Sequence, residues 1–198
     1  MSEHCKTKEK IFFTAVKMFS ERGYKNVSMR DIAEDIGIKA ASIYNHFESK
    51  AKILEGIYDY FFEKLEKYMP TVDSLLALAE TKPPSEVFLM LDYHFPGIEE
   101  VMDRIIVIGG TEFLTDDISA SFIKKLFVEV PRFYIGALLN KWIETKVIMP
   151  IDVDAFLYIY TSMGFNASMR LFSKIPVNVG EWRRAWMVLI SLLKKYPE

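Results

Sequence analysis

Apolar residues recur every third or fourth position along most of the chain, and no stretch alternates in the manner of a strand, so the pattern predicts an all-α protein. After a polar arm, Met1 to about Thr7, the stripe Ile11, Phe12, Ala15, Val16 and Phe19 predicts a helix ending at Arg22 before Gly23. Ser28 to Ile36 reads as a second helix, with Ser28 as N-cap, Asp31 at capping-box spacing, and Ile32, Ala33 and Ile36 as its apolar edge. Gly37 stops it. Ile38 follows as a plug, and a third helix spans about Ala40 to Phe47, with Ala40, Ile43 and Phe47 inward. A longer helix runs from Ser49 to about Met69 on the stripe Leu54, Tyr58, Phe61, Leu65 and Tyr68, closed by Pro70.

Helices are expected at Thr71 to Glu80, from a Ser85 cap to about Phe95, and at Ile98 to about Ile108, separated by the prolines at 83 and 84 and by Pro96-Gly97. Gly109-Gly110 is expected to break the chain. A long segment then begins at Asp116 or Asp117 and ends near Lys146, with Pro131 predicting a kink or a break inside it. Two long helices, about Asp152 to Ser173 and Val179 to Tyr196, finish the chain.

The outward side of the third helix carries chemistry. Exposed helix faces are normally rich in Glu and Lys, whereas this one presents Ala41, Ser42, Tyr44, Asn45 and His46, with no acid before Glu48. Small residues such as Ala40 and Ala41 let a helix backbone sink into a groove. Asn bonds the adenine edge in bidentate fashion, and Ser, Tyr and His donate to phosphate oxygens. Lys39 and Lys50 flank the segment with positive charge. Two short helices joined by a tight turn, the second with such a face, are what a helix-turn-helix needs to enter a DNA major groove.

The segment from Ile11 to Lys50 resembles the N-terminal domain of TetR-type bacterial transcriptional regulators, through Phe19…Gly23-Tyr24, Ile32-Ala33…Gly37-Ile38 and Tyr44-Asn45-His46-Phe47-Glu48-Ser49-Lys50. It departs at Lys39, where a Ser or Thr cap is common in the family, and at Ala41, where Gly or Pro is frequent. The resemblance implies a three-helix DNA-binding head at residues 1–50, with the helix-turn-helix at about 28–47. It also implies a helical bundle for effector binding and dimerisation at 51–198, with the helix after Ser49 as a lever between them. It further implies a dimeric regulator, most often a repressor, on a near-palindromic double-stranded operator, released or modulated by a small molecule. Ser42 and Asn45 are then expected at base edges, and Ser28, Arg30, Lys39, Tyr44, His46 and Lys50 at phosphates.

The last two helices are unusually apolar. Phe156, Tyr160, Met163, Gly164, Ala167, Ser168 and Arg170 on one, and Trp182, Trp186, Leu189 and Leu193 on the other, are the expected interface of a homodimer built as a four-helix bundle. The middle of the chain mixes aromatics with isolated polar groups. Tyr93, His94, Glu112, Phe113, Phe133, Tyr134, Trp142, Phe165, Asn166 and Met169 are the expected lining of an effector pocket, suited to an apolar or aromatic compound. For each of these residues taken singly a packed core is the favoured reading, and it is the resemblance, not the composition, that implies a cavity.

Composition narrows the remaining classes. Half the residues, 51%, are hydrophobic, which excludes disorder. The net charge of −2 divides into +2 for residues 1–50 and −4 for the rest, which permits DNA contact without requiring it. One cysteine, Cys5, rules out an internal disulfide and suits a cytoplasmic protein, and no run of residues predicts a membrane span. The histidines His4, His46 and His94 show no metal-ligand spacing, and no phosphate loop or dinucleotide fingerprint is present, so neither metal nor cofactor is expected. An enzyme is therefore a poor reading. The alternatives to a regulator are an all-α ligand- or protein-binding module without DNA binding and, behind it, an enzyme on an all-α scaffold.

Overall fold

A computed structural model describes residues 3–91, 99–173, 175 and 179–195. It is all-α, and the described residues pair as β-structure only at the isolated bridge between Ile148 and Lys195, beside a bond from the Met149 amide to the Lys194 carbonyl. Packing divides the chain into two compact units, one within Met1–Leu65 and Phe95–Phe122, the other within Glu66–His94 and Ile123–Glu198. The division differs from the boundary at residue 50 expected from sequence, because the apolar stripe of the fourth helix continues the core of the head.

The first unit is built from α1 (Glu3–Arg22), α2 (Met29–Asp35), α3 (Ala40–Ile43), most of α4 (Lys50–Tyr68), α7 (Glu99–Glu112) and most of α8 (Asp117–Lys124). Ile11, Ala15, Ile32, Ile43, Ile53, Leu54 and Ile57 are fully buried and form its centre. Tyr58 stacks on Phe122 at 4.2 Å between ring centres, and its hydroxyl shares a buried 2.7 Å hydrogen bond with Ser119. Burial holds that phenol well above its ordinary pKa. Arg104 of α7 donates to Ser20 and Glu21 at the end of α1, both at 2.9 Å. Gly56, in the interior of α4, is the odd residue here: a side chain at that position would meet nothing within 4 Å. Glycine costs about 1 kcal/mol relative to alanine inside a helix, and here no close approach requires it.

The second unit holds the end of α4, α5 (Val72–Ala79), α6 (Pro84–Leu89), α9 (Ala137–Glu144), α10 (Val153–Phe172) and α11 (Val179–Ser191). Trp142 is its fully buried anchor, donating from Nε1 to the Ala79 carbonyl at 3.2 Å. Phe88 meets Trp142 at 5.2 Å and Trp186 at 4.9 Å, and Tyr160 meets Trp186 at 4.8 Å.

Several boundaries differ from the sequence expectation. Gly109-Gly110 does not break the chain: α7 runs through to Glu112 with Gly109 buried, because two glycines weaken a helix without removing any of its bonds. Ser85 is not a cap, since Pro83 takes that place with Pro84 in the first turn. The helix there ends at Leu89, and Pro96-Gly97 lies outside the described residues. The helix α11 stops at Ser191, short of Tyr196. Thr71 and Asp152, expected as the first residues of their helices, are the N-caps of α5 and α10. Pro131 does disturb its helix, with wide π-helical turns at Lys125–Glu129 and Arg132–Gly136 on either side of it.

Candidate nucleic-acid interface

The head is assembled by two left-handed glycines and one capping box. Gly23 (φ 83°) ends α1, and Gly37 (φ 72°) turns the chain between α2 and α3, a backbone conformation that side chains disfavour. Ser28 Oγ accepts from the Asp31 amide at 3.2 Å, and Asp31 Oδ2 accepts from the Ser28 amide at 2.6 Å and its hydroxyl at 2.7 Å. These bonds hold the Asp31 carboxyl below its ordinary pKa. Ser28 is exposed, yet its hydroxyl proton is committed to Asp31 rather than to a phosphate.

The third helix is shorter than the sequence suggests. Only Ala40–Ile43 is α-helical, and the chain continues through residue 46 as tighter turns, with the Asn45 amide bonded to Ser42 and the His46 amide to Ile43. Ser, Tyr, Asn and His are weak helix formers, and the tighter winding satisfies their amides locally. Ile43, fully buried, ties the segment to the core. Around that anchor Lys39, Ala41 and Asn45 are exposed, Tyr44 is 55% exposed, and Arg30 is exposed on α2. Ala40, Ser42 and His46 are half-buried. Of the side expected to face outward only Ala41, Tyr44 and Asn45 are exposed, and of the side expected inward only Ile43 is fully buried, Phe47 being half-buried like Ala40, Ser42 and His46.

Lys50 is a correction. Its ammonium does not face outward for a phosphate. It donates to the Tyr24 and Val27 carbonyls, each at 2.8 Å, and lies 4.2 Å from the centre of the Tyr24 ring. Burial lowers its pKa, opposed by the nearby Glu112 and Asp31 carboxylates. Glu112 completes the arrangement by accepting the Tyr24 amide at 3.0 Å. Between them, Lys50 and Glu112 fix the turn that leads into α2. Sequence reasoning gave neither residue that role, and the helix-turn-helix spacing carries no signal for it.

The residues expected to line a pocket do not come together as a set. Glu112 is taken up by Tyr24 and belongs with Phe113 to the first unit. Trp142 is core of the second unit with its donor satisfied, and Phe133, Asn166 and Met169 are exposed. Tyr134 and Phe165 are half-buried, the latter edge-on to Phe127 at 5.8 Å. Tyr93 and His94 lie outside the described residues.

The expected dimer face also needs correcting. Phe156, Ser168, Trp186, Leu189 and Leu193 are buried within their own chain, Tyr160 packs on Trp186, and Arg170 pairs with Glu181 at 2.9 Å. Met163, Gly164 and Ala167 are half-buried, and the Trp182 side chain lies outside the described residues. Apolar residues left in water along these helices include Tyr158 (75% exposed), Val188 (65%), Leu192 (56%), Ile159, Met169 and Met187. No helix among the described residues is long and apolar enough to cross a membrane, and no acid, His or Cys cluster among them suits a metal ion.

Residues 11–57 match the family of bacterial regulatory proteins described as the tetR family. The chain is 25% identical over 139 residues to the uncharacterized HTH-type transcriptional regulator YerO of Bacillus subtilis, a match covering 69% of this chain and 47% of that protein. It is 30% identical over 99 residues to IcaR of Staphylococcus aureus, the HTH-type negative transcriptional regulator of the biofilm operon icaADBC, covering 50% of each. The chain thus spans about half the length of the curated relatives it matches. Among solved structures, the ketosteroid transcriptional regulator KstR2 of Mycobacterium tuberculosis has the same fold over 96% of this chain and 95% of its own, with a TM-score of 0.64 at 20% identity. A tetR-family regulatory protein from Rhodococcus RHA1 has it over 100% of both, with a TM-score of 0.65 at 14% identity.

Proposed function

We propose that this chain, a TetR-type protein by its head and by its fold, is a transcriptional repressor that binds a near-palindromic operator as a dimer and is modulated by a small apolar or aromatic effector. The observation that carries the reading is the exposed surface formed by Lys39, Ala41, Tyr44 and Asn45 around the buried Ile43. A surface with an amide, a phenol, a methyl and an ammonium, and no carboxylate, suits a major groove and not open solvent. Asn45, with the half-buried Ser42, reads base edges. Arg30, Lys39 and Tyr44 hold phosphates, with His46 secondary to them, and the phosphate contacts make affinity fall with salt. Ser28 and Lys50 act from behind, by holding the turn and α2 in place.

The dimer forms through the outer side of α10, α11 and the residue after it, where Tyr158, Ile159, Met169, Val188 and Leu192 remain exposed. It sets two reading segments about one helical turn of DNA, or a multiple, apart. The effector binds in the second unit near the half-buried Tyr134 and Phe165. It shifts the protein only to the extent that it binds the DNA-competent arrangement and its alternative unequally.

Footprinting of the purified protein on its own upstream DNA is expected to protect a two-fold site; uniform protection, or none, refutes the proposal. Asn45→Ala is expected to cost roughly 1–3 kcal/mol at that site and to relax preference at one base position. Equal loss on unrelated sequences would mean that Asn45 is not a base reader.

A further inference from the structure

The first unit carries an open groove of about 520 Å³, apart from the reading surface and lined by α1, α4 and Phe47. Its walls are aromatic. Phe12 and Tyr60 lie 5.1 Å apart, Phe12 and Phe13 5.2 Å, and Phe13 and Tyr60 6.1 Å, with Phe13 left 37% exposed. Its rim is acidic: Glu9, Asp59 and Glu63 line it together with Lys8, and the ammonium of Lys64 lies over the Tyr60 wall. Among the described residues no ion pair holds any of these carboxylates.

Two features of α4 are unfavourable for a helix, and both open onto this groove. Gly56 gives up helix propensity over empty space. Asp59 and Glu63, four residues apart, place like charges side by side. Packing explains neither. Together they leave the groove open and negative, and a local rule broken without a packing reason is a mark of a site. The rings already take ammonium groups on their faces, with Lys8 Nζ 5.4 Å from the centre of Phe47 and Lys64 Nζ 4.9 Å from that of Tyr60. The volume lies within the range of small-molecule sites.

We propose that this groove binds a small organic cation whose charged nitrogen carries an apolar body. The carboxylates balance the charge, and Phe12, Phe13 and Tyr60 take the body. This site is separate from the effector site of the second unit and does not rest on it.

Cys5, the one cysteine of the chain, lines the groove and supplies a reporter. The full chain, alkylated at Cys5 with bromotrifluoroacetone, is titrated with benzyltrimethylammonium and followed by fluorine NMR. A saturable shift is expected, with none from neopentylbenzene, the neutral isostere. Gly56→Leu fills the open floor with a better helix former, so it is expected to keep the helical circular dichroism and thermal midpoint while abolishing the shift. Asp59→Asn combined with Glu63→Gln is expected to raise the apparent Kd about tenfold. No saturable shift in the parent, the same response to the neutral isostere, or undiminished binding in either variant overturns the proposal.

Discussion

At the scale of single residues, the informative one is Lys50. Its place at the end of the Tyr-x-His-Phe-x-x-Lys run was readable, but its direction was not, because a four-carbon stem reaches either a phosphate or the chain's own carbonyls. The structure gives it to Tyr24 and Val27. Lys50→Ala is therefore expected to lower the stability of the head by about 1–2 kcal/mol in chemical denaturation, since two carbonyls lose a charged donor that is itself partly in water. The slope of DNA affinity against salt should stay that of the parent. Lys39→Ala should do the reverse, leaving stability unchanged and reducing that slope by about one. Asp31 adds a pH dependence of defined sign. Its folded pKa is lowered by Ser28, so the stabilisation is fully present above the ordinary aspartate value of about 3.9 and is lost as pH falls through the lower folded value. Asp31→Asn should remove that acid-dependent component from a series of urea midpoints taken below pH 5, a window of about one unit above the ordinary value. An unchanged profile would assign the acid sensitivity elsewhere.

At the scale of elements, the parts of the head legible in sequence were those set by local chemistry. The Ser28–Asp31 box, the stops at Gly23 and Gly37 and the burial of Ile32 and Ala33 on α2 are each specified by a few neighbouring residues and occur as their pattern implies, whereas Ile36 caps α2 half-buried. The break expected at Gly109-Gly110 fails for the opposite reason. Glycine lowers helix propensity by an amount that tertiary packing readily exceeds, and buried Met102, Ile105 and Ile108 hold α7 against the unit's core. Gly37 is different, because its positive φ is a steric demand and not a weak preference. Gly37→Ala meets no neighbour within 4 Å, so its cost is backbone strain alone, expected at about 1–2 kcal/mol in thermal or urea unfolding. That turn sets the angle between α2 and α3, so operator affinity should fall beyond what the population of unfolded protein accounts for. Full affinity in the folded fraction would show that the reading segment is positioned independently of the turn.

At the scale of the whole molecule, the two-sided apolar character of the last helices was legible, but which side turns inward was not. Trp186 and Leu189 of α11, with Leu193 just beyond it, form one side, and Val188, with Leu192 just beyond the helix, another, and both are apolar enough for a core. Hydrophobic periodicity fixes a helix and its faces without assigning the faces to partners. What decides is the shape of the surrounding packing, where Phe88 accepts Trp186 at 4.9 Å. The two sides now predict different failures. Trp186→Ala empties a buried site and is expected to cost about 3–5 kcal/mol, seen as a lower unfolding midpoint in the isolated protein. Val188→Glu combined with Leu192→Glu adds charge only to exposed positions, so the helical content and the core should persist. In the proposed dimer those carboxylates would be desolvated without partners, which disfavours association strongly. Sedimentation should then report a folded monomer. Its operator affinity should fall steeply, because the two half-sites no longer share one binding event. A double-Glu variant that remains dimeric would place the subunit contact on another surface, and a parent protein that sediments as a monomer at micromolar concentration would remove the dimer from the proposal altogether.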